Sequence, residues 1–188
     1  MSEGRVLSAL VANRPGVLNR VSGLIRRRGF NIENLTVGPT LDHSISRMTI
    51  VVNVGAAPAD QAVRQLAKLI DVVDVRDITD EERVECELML IRIENAAQRR
   101  GALVDRAGPN ARVVAEVEDV VILAVNGTGD ELDQMLERLR GFDVKGIART
   151  GIVSMMVDET HPHAVPHWAR LAERDGERPE ETEVMSIL

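Results

Sequence analysis

The chain has 188 residues, 44% of them hydrophobic and 28% charged, enough for one or two soluble domains with a buried core. Three aromatic residues, Phe30, Phe142 and Trp168, are too few for base or sugar stacking, and a formal charge of −7 repels phosphate backbones and anionic lipid. No apolar run approaches the ~20 residues of a spanning helix, MSEGRVLSAL lacks a signal pattern, and Cys86 is the only cysteine, so no nucleic-acid partner, no membrane and a cytoplasmic location are expected.

In chain order, residues 5–11 form a mostly apolar run of strand length, and NRPG then marks a turn whose end can open a helix. Val17, Leu18, Val21, Leu24 and Ile25 recur on one helical face, and Gly29 supplies a stop. Residues 31–38 read as a strand ended by Pro39. In 45–54, Met48, Ile50, Val52 and Val54 alternate with Arg47, Thr49 and Asn53, a half-buried strand. Pro58 and Asp60 start a second helix with an inner stripe of Ala62, Val63, Leu66, Leu69 and Ile70, and 72–78 closes the unit as a strand. That order is the ferredoxin-like βαββαβ pattern.

The second half repeats it. Residues 86–93 predict a strand, 95–105 a helix, 112–117 and 120–125 two strands. NGTGDEL leads into a helix with Leu132, Met135, Leu136 and Leu139 inward, and 144–153 predicts the closing strand. The expectation is an α+β protein of two consecutive ferredoxin-like βαββαβ domains with antiparallel sheets, residues 1–79 and 80–157, joined near 79–83. Residues 158–188 carry −5 of the −7 charge together with Pro162, Pro166 and Pro179, which predicts an acidic, flexible tail.

Few groups suggest chemistry. There is no GxSxG elbow, and Cys86 within an apolar run reads as core. His161, His163 and His167 could ligate a metal, but without a further ligand cluster no metal site is expected. Arg26, Arg27 and Arg28 read as a solvated helix end, and the GTGD turn as a plain helix start. The NRPG turn differs, because N–H groups of Gly16, Val17 and Leu18 could bind a carboxylate at the positive end of the helix. Asn13 and Asn31 could add amide contacts, within a chain or across a dimer, with Val17, Leu18 and Ile32 at the apolar end. Alternatively the two asparagines only cap turns.

The string NRPGVLNRVSGLIRRRGFNIENLTVGPT, with SISRMTIVVNV, resembles the N-terminal ACT domain of the regulatory (small) subunit of acetohydroxyacid synthase, also called acetolactate synthase. LIDVVDVRDIT and GIARTGIVSM extend the likeness over roughly residues 4–157. The resemblance implies a chain with no catalytic site of its own. It would activate a large catalytic subunit that carries thiamine diphosphate, Mg and FAD, in valine, leucine and isoleucine biosynthesis. It also implies feedback inhibition by valine at an ACT homodimer interface. By position, Asn13, Gly16, Val17 and Leu18 fall on the family's glycine turn, and Asn31 and Ile32 on the facing strand. Ser46, Arg47 and Met48 would lie near the catalytic-subunit contact. Ile25, Asn34 and the glycine-rich 95–110 segment depart from the family pattern. A free-standing ACT-domain amino-acid sensor and a small enzyme are the competing readings.

Overall fold

The computed structural model describes residues 4–53 and 59–158. Val54, Pro58 and residues 159–188, including the three tail histidines and Trp168, lie outside the described residues.

The first unit is β1 (Arg5–Ala12), α1 (Val17–Arg27), β2 (Asn31–Pro39), β3 (Ile45–Asn53), α2 (Ala59–Leu66) and β4 (Val72–Asp77). Its sheet has the order β2-β3-β1-β4 with every pair antiparallel. β1 is an interior strand, paired on both edges, and most of its residues are buried. Leu7, Ala9 and Val11 pack with Met48, Ile50 and Val52 of β3 beneath Val17, Val21 and Ile25 of α1 and Ala62 and Leu66 of α2. Each large side chain buried there contributes about 2 kcal/mol.

The second unit repeats the order with β5 (Arg83–Glu94), α3 (Arg100–Ala107), β6 (Ala111–Val117), β7 (Val120–Gly127), α4 (Gly129–Arg138) and β8 (Asp143–Arg149). The sheet order β6-β7-β5-β8 is the same topology, and an added strand, β9 (Val153–Met156), pairs with the first residues of β5. A separate core joins Met89, Ile91 and Ile93 to Val121, Leu123, Val125, Leu103, Leu132, Met135 and Phe142. The α+β class and the doubled ferredoxin-like architecture are those read from the sequence.

Local departures have identifiable causes. The expected closing strand 144–153 is two strands, because Gly151 turns the chain at φ +79. The third helix starts later than expected, after Asn95 (φ 52) and a 3-10 turn at Ala97–Arg99. Arg99 and Arg106 pin this segment by stacking on Phe142, at 4.2 and 5.7 Å, while donating to the carbonyls of Gly141 and Arg140. α2 ends at Leu66, so Ile70 is exposed rather than inward. Cys86 is exposed, not core: it pairs with Val153 on the outer face of the β5–β9 ribbon, beside exposed Val84 and Met155.

The two units meet where the β8–β9 turn crosses the sheet face opposite α1 and α2. Thr36 Oγ1 donates to the Ile152 carbonyl (2.8 Å), and the Ser154 N–H to Thr49 Oγ1 (3.3 Å). A Cβ at Gly151 would lie 1.6 Å from Asn34 Nδ2, so only glycine fits. The family-atypical Asn34 is therefore part of the seam. Asn34 Oδ1 and Ser154 Oγ are buried there without a partner among the described residues, a local cost to the seam.

The turn itself hangs from Glu87. This carboxylate takes two hydrogen bonds from Arg149 (Nε 2.9 Å, Nη2 2.6 Å) and one from the Gly151 N–H (3.0 Å). Arg149 also reaches Asp133 at 2.7 Å. Among the described residues, no helix is long and apolar enough to cross a membrane. Glu87→Ala removes a buried acceptor of three bonds and should cost about 3 kcal/mol in urea unfolding followed by circular dichroism. Arg64→Ala, which breaks only the solvent-exposed Asp60 pair at 3.9 Å, should cost less than about 0.5 kcal/mol. Equal small losses would contradict this ranking.

Candidate functional site

The β1–α1 connection is a tight turn built for a bare helix end. The Arg14 N–H donates to the Ala12 carbonyl (3.0 Å), and Gly16 adopts φ +84, where a side chain is strained. Gly16 is the N-cap of α1, no side chain among the described residues caps the helix, and its first turn carries no acid. The first N–H groups thus face outward at the positive end of the helix dipole. The Val17 N–H makes only a long 3.4 Å contact to the Arg14 carbonyl.

α4 provides the contrast. Thr128 Oγ1 accepts from the Glu131 N–H (3.3 Å), Glu131 Oε2 accepts from the Thr128 N–H (2.8 Å), and Asp130 adds a second acid. The GTGD turn is a complete capping box and a plain helix start, as its sequence suggests.

Three charged residues missed in the sequence reading hold the NRPG turn. Asp71, just before β4, is 1% exposed. Its Oδ1 accepts from Arg14 Nε (2.8 Å) and Nη2, its Oδ2 from Arg20 Nε (2.5 Å), and its carbonyl from the Ala12 N–H (2.8 Å). Burial pushes the Asp71 carboxyl up, but the hydrogen bonds and charges of Arg20 and Arg14 outweigh it and hold the carboxyl below its ordinary value. The signal was a single acid inside the apolar LIDVV run, which requires cationic partners if the run is buried.

The residues expected to form an effector pocket divide into two groups at opposite ends of the sheet. Asn13 donates from Nδ2 to the His43 carbonyl (2.9 Å) and from its N–H to the Ser44 carbonyl (2.6 Å), so it does tie the turn to the β2–β3 hairpin. Leu18 is exposed. Val17 is 3% exposed and belongs to the core, so its side chain does not line a pocket and only its backbone is available. Asn31 is exposed and Ile32 half-buried. Ala12 pairs with Ile45, whereas Asn31 pairs with Asn53 at the other end of β3. That offset is roughly 26 Å along the strand. One chain therefore does not bring Asn31 and Ile32 to the Gly16 turn.

The suggested partner-contact residues also separate. Met48, 1% exposed, points into the core and offers no contact surface, and Ser46 is buried at 5%. Arg47 lies on the opposite face, half-buried, donating to Ser8 Oγ (3.1 Å).

Comparison with known proteins gives these features a family. Residues 7–74 match the family described as AHAS small subunit-like ACT domain, and residues 86–157 that described as small subunit of acetolactate synthase. The chain is 44% identical over 151 residues to the probable acetolactate synthase small subunit of Archaeoglobus fulgidus, covering 80% of this chain and 94% of that one. It is 40% identical over 149 residues to the acetolactate synthase small subunit of Bacillus subtilis, covering 78% and 87%. The crystal structure of the small subunit from Thermotoga maritima superposes with a TM-score of 0.71 at 33% identity, over 81% of this chain and 96% of that one. With a bare, glycine-turned helix end on the first of two ferredoxin-like units, and relatives matched over most of their length, this chain belongs to the acetolactate synthase small-subunit family, whose N-terminal unit is an ACT domain.

Proposed function

We propose that the chain is a cytoplasmic regulatory subunit that binds and activates the catalytic (large) subunit of acetohydroxyacid synthase and makes it inhibitable by valine. The catalytic subunit would carry the thiamine diphosphate, Mg and FAD, and this chain would supply none of the reacting groups. The observation that carries the effector reading is the uncapped, acid-free N-terminus of α1 above Gly16. An amino-acid carboxylate supplies the negative charge and acceptors that this end lacks.

The second half of the pocket comes from a homodimer. β2 is an edge strand, and Val37 on it is 47% exposed, a liability that a second copy would remove. Antiparallel pairing of two β2 strands about a two-fold axis sets the Asn31 end of one chain beside the Pro39 end of the other. Pro39 pairs with Ser46, next to the Ile45–Ala12 pair that leads into the Gly16 turn. Asn31 and Ile32 of one chain would then complete the site begun by Asn13, Gly16 and Leu18 of its partner.

Inhibition follows as a linkage. Valine must bind the inhibited arrangement of the complex more tightly than the activating one, because a ligand shifts an equilibrium only by its differential affinity. A coupling of about 1–3 kcal/mol changes an affinity about 5- to 150-fold and suffices. Mixing the purified chain with its cognate catalytic subunit should raise acetolactate formation, and valine should lower it again. No activation would favour a free-standing sensor, and turnover by this chain alone would favour an enzyme.

Gly16 is a poor position at which to test the site, since φ +84 makes any substitution there a fold variant as well. Leu18 is better, being 47% exposed in the first turn. Leu18→Asp should leave or slightly raise the melting temperature, because an acid there suits the helix dipole, while raising the half-inhibiting valine concentration at least about 10-fold. An unchanged valine response would remove the site assignment.

A further inference from the structure

We propose that Asp71 is the positioning residue of the effector turn, fixing through Arg14 and Arg20 the direction in which the first N–H groups of α1 face. This rests on the effector site proposed above and extends it to residues outside that site.

Four hydrogen bonds converge on this one residue from both flanks of the turn. Arg14 lies two residues before Gly16, and Arg20 four residues after it, its N–H donating to the Gly16 carbonyl at 3.0 Å. Ala12, the last residue of β1, donates to the Asp71 carbonyl. Entry to the turn, its exit and the strand behind it are therefore tied to a single point on the α2–β4 connection. Surface ion pairs alone would not hold such a geometry, but here the shared carboxylate is out of solvent and each of its oxygens accepts from a guanidinium.

The charge balance favours an anion. Two guanidinium groups share one carboxylate, which leaves a net charge of +1 beside the positive end of α1. Their side chains are 49% and 46% exposed, so each has a face not spent on Asp71. Arg20 Nη1 lies 3.1 Å from the point a Cβ on Gly16 would occupy, so it stands directly over the turn. Without the carboxylate, the two like charges repel and the turn loses its common anchor. The Asp71 carboxylate is buried behind them and acts only through them.

The test is the valine concentration for half-inhibition of the reconstituted complex. Asp71→Asn keeps the shape and removes the charge, and it should raise that concentration at least about 10-fold. Asp71→Glu should recover a substantial part of the loss. Adding Arg20→Gln to Asp71→Asn should add little, because both changes break the same link. If Asp71→Asn does not fold, half-exposed Arg20→Gln by itself must raise the valine requirement about 10-fold, and normal inhibition in that variant overturns the proposal. An unchanged valine response in folded Asp71→Asn, or full additivity with Arg20→Gln, also overturns it. Leu18→Asp in the same assay separates the two ideas. A lost response in Leu18→Asp with a normal one in Asp71→Asn sinks this inference alone, and normal responses in both sink the effector site itself.

Discussion

The register between β1 and β3 governs everything else in the N-terminal unit. Leu7, Ala9 and Val11 share a face with Met48, Ile50 and Val52 only in this pairing, and a slip of one residue would turn one strand's three to the side opposite the other's. The same register sets the two ends of the sheet. It puts the Gly16 turn above the Ala12–Ile45 end and Asn31 at the Asn53 end. A pocket drawn from both is impossible within one chain, so it is core packing that makes the proposed effector site depend on a second copy.

Charge at helix ends separates the two units. α4 closes its own N-terminus with a capping box and two acids. α1 leaves its end open and instead surrounds it with cations balanced from behind by a buried carboxylate. The first arrangement is self-sufficient. The second is complete for the fold yet leaves N–H groups and positive potential unspent, and on that difference the proposed effector site rests. Glu87 in the C-terminal unit and Asp71 in the N-terminal unit do parallel work, since each buried carboxylate fixes a glycine turn. The turn fixed by Glu87 faces the seam between units, and the one fixed by Asp71 faces solvent.

The fold was legible because apolar period marks strands and helices, and two βαββαβ cycles leave few topologies. What stayed hidden is contextual. Val17 and Leu18 are neighbours on one stripe, but the 100° step between them buries the first and exposes the second. Cys86 lies in an apolar run that crosses from a two-stranded ribbon into the four-stranded sheet, and only the pairing of β9 reveals which residues are outside. Met48 and Arg47 share a family-like string, yet alternation sends them to opposite faces. The Asp71 cluster joins residues 14, 20 and 71, and no local pattern connects positions so far apart. The glycine turn, by contrast, announced itself through Pro15 and Gly16, whose conformational demands are local.

The central claim is that valine binds between two chains, at the turn of one and the β2 edge of the other, and complementation in mixed dimers tests it most directly. A chain carrying Leu18→Asp and a chain carrying Asn31→Ala each damage both sites of their own homodimer. In the mixed dimer both defects fall on one site and the other is intact. Calorimetry should therefore find no tight valine binding by either homodimer and about one valine bound per mixed dimer. Mixed dimers that bind no more valine than the homodimers would contradict the account.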